Sequence, residues 1–63
     1  MVKIVQLPLG AKFRFPDGFG VFEGITFYVS HIPDDKSYVE VETVDSSDFC
    51  IEINPDVIVV SCD

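Results

Sequence analysis

Apolar and polar residues alternate with period two through most of this chain, and no window carries the 3.6-residue period of an amphipathic helix. Successive side chains of a strand point to opposite faces, so each alternating run predicts a half-buried strand. Residues 2–7 predict a first strand, ended by the turn Pro8-Leu9-Gly10. Residues 12–15 alternate strictly, with Phe13 and Phe15 on one face and Lys12 and Arg14 on the other. In Phe15-Pro16-Asp17-Gly18 the proline presets φ, the aspartate tolerates the third position and the glycine tolerates a left-handed conformation, which predicts a type I turn.

Residues 19–30 predict a long strand, with Val21, Ile25, Phe27 and Val29 on one face and Phe22, Thr26, Tyr28 and Ser30 on the other. Gly20 and Gly24 fall inside it and mark a bulge or sharp bend. The polar cluster Ile32-Pro33-Asp34-Asp35-Lys36-Ser37 leads to a strand over 38–44, where Val39, Val41 and Thr43 oppose Tyr38, Glu40, Glu42 and Val44. Asp45-Ser46-Ser47-Asp48 predicts the next turn, and 49–53 a strand with Phe49, Ile51 and Ile53 inward and Cys50 and Glu52 outward. Asn54-Pro55-Asp56 breaks the alternation and fits one turn of 3-10 helix. The last run, Val57, Ile58, Val59 and Val60, is apolar on both faces, so it is buried on both sides or meets a second copy of the chain as a homodimer.

The expected fold class is therefore all-β: a small antiparallel barrel of five or six short strands, with a single 3-10 turn before the last. The expected core is Phe13, Phe15, Val21, Ile25, Phe27, Val39, Val41, Phe49, Ile51, Ile53 and Val59. With 63 residues the chain reads as a single domain, 1–63. The meander, its bent long strand and the tight turn before an apolar closing strand resemble the SH3-like barrels. That likeness is one of architecture; the acidic and aromatic peptide-binding motifs of SH3 domains are missing, so proline-peptide recognition does not come with it. The segment Leu7-Pro8-Leu9-Gly10-Ala11-Lys12-Phe13 is also similar to the Leu-Pro-x-Gly-x-x-Phe opening of short uncharacterised bacteriophage proteins that close on an apolar strand. This second resemblance implies a phage-encoded protein acting in the host cytoplasm, and it carries no functional residues.

Charge narrows the function. Eleven acids against four bases give −7, which repels a phosphate backbone, so direct nucleic-acid binding is not expected. The asymmetry is marked: residues 1–33 carry a net +1, and the remainder sets Lys36 against nine acids. An acidic half suits a basic partner surface, and it also keeps a small apolar domain soluble. The opening residues lack the continuous apolar segment of a signal peptide and no stretch is long enough to span a bilayer, so a cytoplasmic protein without membrane contact is expected. Cys50 and Cys62 have no metal-ligand spacing and are expected as free thiols.

The only histidine, His31, opens a polar turn with no nucleophile beside it. Glu40 and Glu42 lie on one side of a strand about 7 Å apart, a spacing compatible with acid–base work, but a barrel this small is filled by its own side chains and offers no pocket to shift a carboxyl pKa. Neither Asp34-Asp35 nor Asp45-Ser46-Ser47-Asp48 follows the alternating calcium-loop pattern, and the glycines at 18, 20 and 24 do not form a phosphate loop. No enzyme, cofactor or metal is expected.

What remains is surface. Phe22, Tyr28, Tyr38, Glu40, Glu42 and Glu52 are expected to share the outer face, where aromatics ringed by carboxylates suit the basic surface of another protein. A second reading has Phe22, and Tyr28 with it, covering the open end of the barrel. The leading expectation is a binding module that docks on a host protein and modulates or inhibits it. Two alternatives stand beside it: carboxylates imitating DNA phosphates to occupy a nucleic-acid-binding protein, and an assembly domain that oligomerises through its last strand.

Overall fold

The computed structural model describes residues 1–17, 20–22 and 24–62, with the backbone alone for Val21 and 46–49. All six strands are antiparallel and short: β1 (Val2–Lys3), β2 (Lys12–Arg14), β3 (Thr26–His31), β4 (Val39–Thr43), β5 (Ser46–Ile53) and β6 (Ile58–Ser61). They form one sheet in the order β1-β6-β2-β3-β4-β5. The fold is all-β, and its helical content among the described residues is two 3-10 turns, Ile4–Gln6 and Gly20–Phe22.

The sheet is open rather than closed into a barrel: β1 and β5 are its two edges. β1 has two residues and β5 has eight, so β1 is too short to seal the other edge along its length. The reason lies in the run 2–7, which strand periodicity reads as one strand. After Lys3 the chain instead tightens into a 3-10 turn, where three residues per turn bring Ile4 and Leu7 to the same side, and both are buried in the core. Gln6 Oε1 accepts a hydrogen bond from the Lys3 amide, and the turn docks on 54–57 through Ile4 N–H to the Val57 carbonyl and Val5 N–H to the Pro55 carbonyl.

The predicted strand over 19–30 is likewise shorter. Gly20 and Gly24 have φ of 61° and 79°, outside the β region, so the chain forms a 3-10 turn between them and β3 begins only at Thr26. That change of geometry cancels the alternation that put Phe22 on the outer face. Its ring turns inward onto Phe15 and Phe27, with centroids 5.2 and 5.7 Å away. The Asp45-Ser46-Ser47-Asp48 turn is also displaced, because Thr43 already pairs with Ser46 and the hairpin turns on Val44 and Asp45 alone. At 54–57 the expected 3-10 helix is a single hydrogen-bonded turn, Val57 N–H to the Asn54 carbonyl, with Asn54 Oδ1 accepting from the Asp56 amide.

Strict alternation over 12–15 is realised: Phe13 and Phe15 are buried, Lys12 and Arg14 exposed. Phe27, Val39, Val41, Ile53 and Val59 join them in the core, while Ile25 and Ile51 are half-buried against it. Val29 belongs to this core as well, together with Ile4 and Leu7. Of the expected core, the side chains of Val21 and Phe49 lie outside the described residues, as does Gly18 of the Pro16 turn. Phe13, Phe15, Phe22 and Phe27 form a ring cluster with centroid separations of 5.2 to 5.7 Å and several edge-to-face pairs.

Candidate functional site

Strand register decides which outward residues meet. Lys12 pairs with Tyr28, Tyr28 with Glu42, and Glu42 with Cys50, so one row crosses β2, β3, β4 and β5 on the face away from the core. A second row sets His31 opposite Glu40 and Glu40 opposite Glu52. A bulge at β3 makes this second row possible: the register shifts between Val29 and His31, and Ser30 Oγ donates to the Glu40 carbonyl at 3.0 Å.

Four of the six expected site residues, Tyr28, Glu40, Glu42 and Glu52, are thus neighbours on one face. Tyr38 stands one position before β4, half-buried, with the parity of Glu40 and Glu42. Phe22 is not among them; its half-buried ring packs against Phe15 and Phe27 at the margin of the core.

One hydrogen bond ties β4 to β5 on this face: Cys50 Sγ donates to Glu40 Oε1 at 3.1 Å, while Tyr28 stands opposite Glu42 in the β3–β4 register. Partial desolvation and the Glu42 carboxylate raise the Tyr28 pKa above its ordinary value. The Cys50 thiol is pushed up to about 11, first by its hydrogen bond to Glu40, then by desolvation and by the charges of Glu40, Glu42 and Glu52. Carboxylates of this face contribute to both shifts. The single ion pair among the described residues, Lys3 Nζ to Asp56 Oδ1 at 3.6 Å, is exposed and lies elsewhere. Among the described residues, the three glutamates of the face therefore have no cation paired with them.

Sequence reading missed three residues that belong to this surface. Cys50 was placed outward but not recognised as the hydrogen-bond partner of Glu40. Lys12 and His31 join it only through register, which the single-strand period does not contain. As a result the face is graded, with Lys12 and Arg14 exposed on β2 at one side and carboxylates on β4 and β5 at the other.

Cys50 gives a direct chemical readout of the field. A rise from 9.0 to about 11 lowers the thiolate fraction at pH 8 about 100-fold. A more basic thiolate is intrinsically more nucleophilic, by about tenfold over that interval, so the net expectation is alkylation about tenfold slower than in the unfolded chain. Iodoacetamide, a neutral reagent, followed by peptide mass spectrometry measures this, and Glu40→Gln should restore most of the rate. Equal native and unfolded rates at Cys50 would contradict the described geometry. Both cysteines are free thiols, Cys50 exposed and Cys62 half-buried.

Other surfaces hold less chemistry. A groove of about 520 Å³ beside Arg14, Pro16, Asp17 and Val60 is lined by none of the six expected residues. No group of three or more histidine, cysteine, aspartate or glutamate side chains among the described residues is arranged to hold a metal ion. No helix among them is long and apolar enough to cross a membrane. β6 pairs with β1 through Ile58 and Val59 and with β2 through Val60 and Ser61; Val59 is buried and Ile58 is exposed. Family models, curated proteins and solved structures provide no match to this chain.

Proposed function

We propose that this chain is a binding module that recognises a basic surface of another protein through Tyr28, Tyr38, Glu40, Glu42 and Glu52, and modulates that protein. The observation that carries the reading is the pair of cross-strand rows that gathers Glu40, Glu42 and Glu52 beside Tyr28 with no cation among the described residues paired to them. Carboxylates so placed steer a basic partner and set its register, and a half-buried tyrosine supplies contact area at small entropic cost. The like-charge neighbours Glu40 and Glu52 repel each other in the free protein, and a partner cation between them relieves that repulsion.

The finer fold reading, an SH3-like curl of the sheet, is supported by the meander from β2 to β5 and by the tight turn that precedes β6. The similarity of Leu7-Pro8-Leu9-Gly10-Ala11-Lys12-Phe13 to phage openings extends the proposal to a phage-encoded protein whose partner is in the host cytoplasm. Affinity capture from host lysate at low salt, followed by identification of the retained protein and its Kd at low and moderate salt, tests the function. The expected partner surface is basic and its association slows steeply as salt screens the steering field. A captured partner whose affinity does not change with salt would overturn the proposal.

A further inference from the structure

The outer edge of β5 is the longest unpaired backbone in the sheet. β5 spans eight residues at the end of the strand order, while the opposite edge, β1, spans two and is followed at once by a 3-10 turn. Among the described residues, every backbone hydrogen bond outside the ladders leaves Cys50, Ile51, Glu52 and Ile53 untouched. Natural sheets commonly blunt such an edge with lysine, proline, a bulge or a covering loop; β5 contains neither lysine nor proline, and its register shift lies between Ser46 and Cys50, so the regular edge is Cys50, Ile51, Glu52 and Ile53.

We infer that β5 accepts an extended segment of the partner as a seventh strand, one in which basic residues alternate with apolar ones. This inference rests on the proposed acidic-face reading and names how the partner engages it. Two features fix the segment's chemistry. On the outer face, residues of the added strand would stand beside Cys50 and Glu52, next to Glu40 and Glu42 on β4, so that side calls for lysine or arginine. On the inner face they would continue the row of Ile51 and Ile53, half-buried and buried, so that side calls for aliphatic residues. A second copy of this chain fits poorly there, because β5 carries Asp48 and Glu52 with no base and lies beside two more glutamates. Strand addition of this kind draws affinity from main-chain hydrogen bonds and specificity from alternate side chains.

The test uses the full chain and a probe peptide, acetyl-(Lys-Val)₄-amide, with two variants N-methylated on one or the other alternate set of amides, and a block peptide of four lysines followed by four valines. A strand added to one edge turns only one set of its amides towards the protein. The expected result is that one methylated peptide loses at least tenfold in affinity while the other stays within about threefold of the parent. The block peptide should bind at least tenfold more weakly, and within Cys50, Ile51, Glu52 and Ile53 the alternate amides that face away from β4 should gain protection from hydrogen exchange. Equal binding of both methylated peptides, equal binding of the block peptide, or no binding of the parent peptide overturns strand addition. The acidic-face reading is judged separately, by the response of the captured partner to salt and to charge reversal. Salt-sensitive partner binding with no dependence on N-methylation would leave that reading standing and remove this inference alone.

Discussion

Phe27→Ala is expected to leave the chain largely unfolded at 25 °C. Phe27 is wholly buried and touches three other rings, Phe13, Phe15 and Phe22, at centroid distances of 5.7, 5.2 and 5.7 Å. Removing it deletes the shared partner of the whole cluster, and truncation of a buried phenylalanine costs about 3–5 kcal/mol. A core in a domain of this size supplies about the same amount, with no disulfide between Cys50 and Cys62 to supplement it. Urea titration followed by circular dichroism, with the parent as control, measures the effect. A variant that keeps a cooperative transition at the parental midpoint would show that the aromatic cluster is not what holds the sheet together. Phe22→Leu should cost less, because Phe22 is only half-buried at the margin of that cluster.

Reversing Glu40, Glu42 and Glu52 together to lysine is expected to do the opposite: preserve the fold and abolish recognition. One hydrogen bond would go, that of the exposed Cys50 thiol to Glu40. Against that, the whole chain's net charge would move from −7 towards neutrality, which relieves self-repulsion, while positions 40 and 52 stay a like-charge pair. These changes offset one another to first order, so the circular dichroism spectrum and urea midpoint should stay close to the parent's. Binding has no such compensation. Attraction becomes repulsion at three adjacent positions, and like-charge juxtaposition across an interface costs several kcal/mol, so affinity for the captured partner should fall about a hundredfold or more. A folded triple variant that binds as tightly as the parent would rule the face out.

Much of this surface was legible in the sequence because it depends on parity alone. Within β4, Glu40 and Glu42 had to lie opposite Val39 and Val41, whatever the neighbouring strands do. The same logic placed Phe13 and Phe15 inside. It failed at 2–7 and 19–30, where local geometry changed from extended to 3-10 and the counting rule lost its basis. At 19–30 the positive φ of Gly20 and Gly24 is the physical cause, and it sets Phe22 against the margin of the core instead of on the outer face. At 2–7 the signal available was the i, i+3 spacing of Ile4 and Leu7, which competes with the period-two reading and prevails once the turn at 54–57 offers its carbonyls. Register was beyond a single sequence. The opposition of Tyr28 to Glu42, the bulge at Ser30 that aligns His31 with Glu40, and the two-residue turn at Val44 all arise from pairing between strands. So does the open sheet, since nothing in the alternation of β5 reveals that it is an edge.

The most direct measurement of the central claim is a chemical-shift map of the ¹⁵N-labelled full chain on addition of its captured partner. The acidic-face account predicts that the amides of Tyr28, Glu40, Glu42, Cys50 and Glu52 shift or broaden first and together, since register places them on two adjacent rows. Ile58 on β6 and Met1, both exposed, should stay near their free positions. Perturbations centred on Ile58, or on the groove beside Arg14 and Val60, with the two acidic rows unchanged, would contradict it.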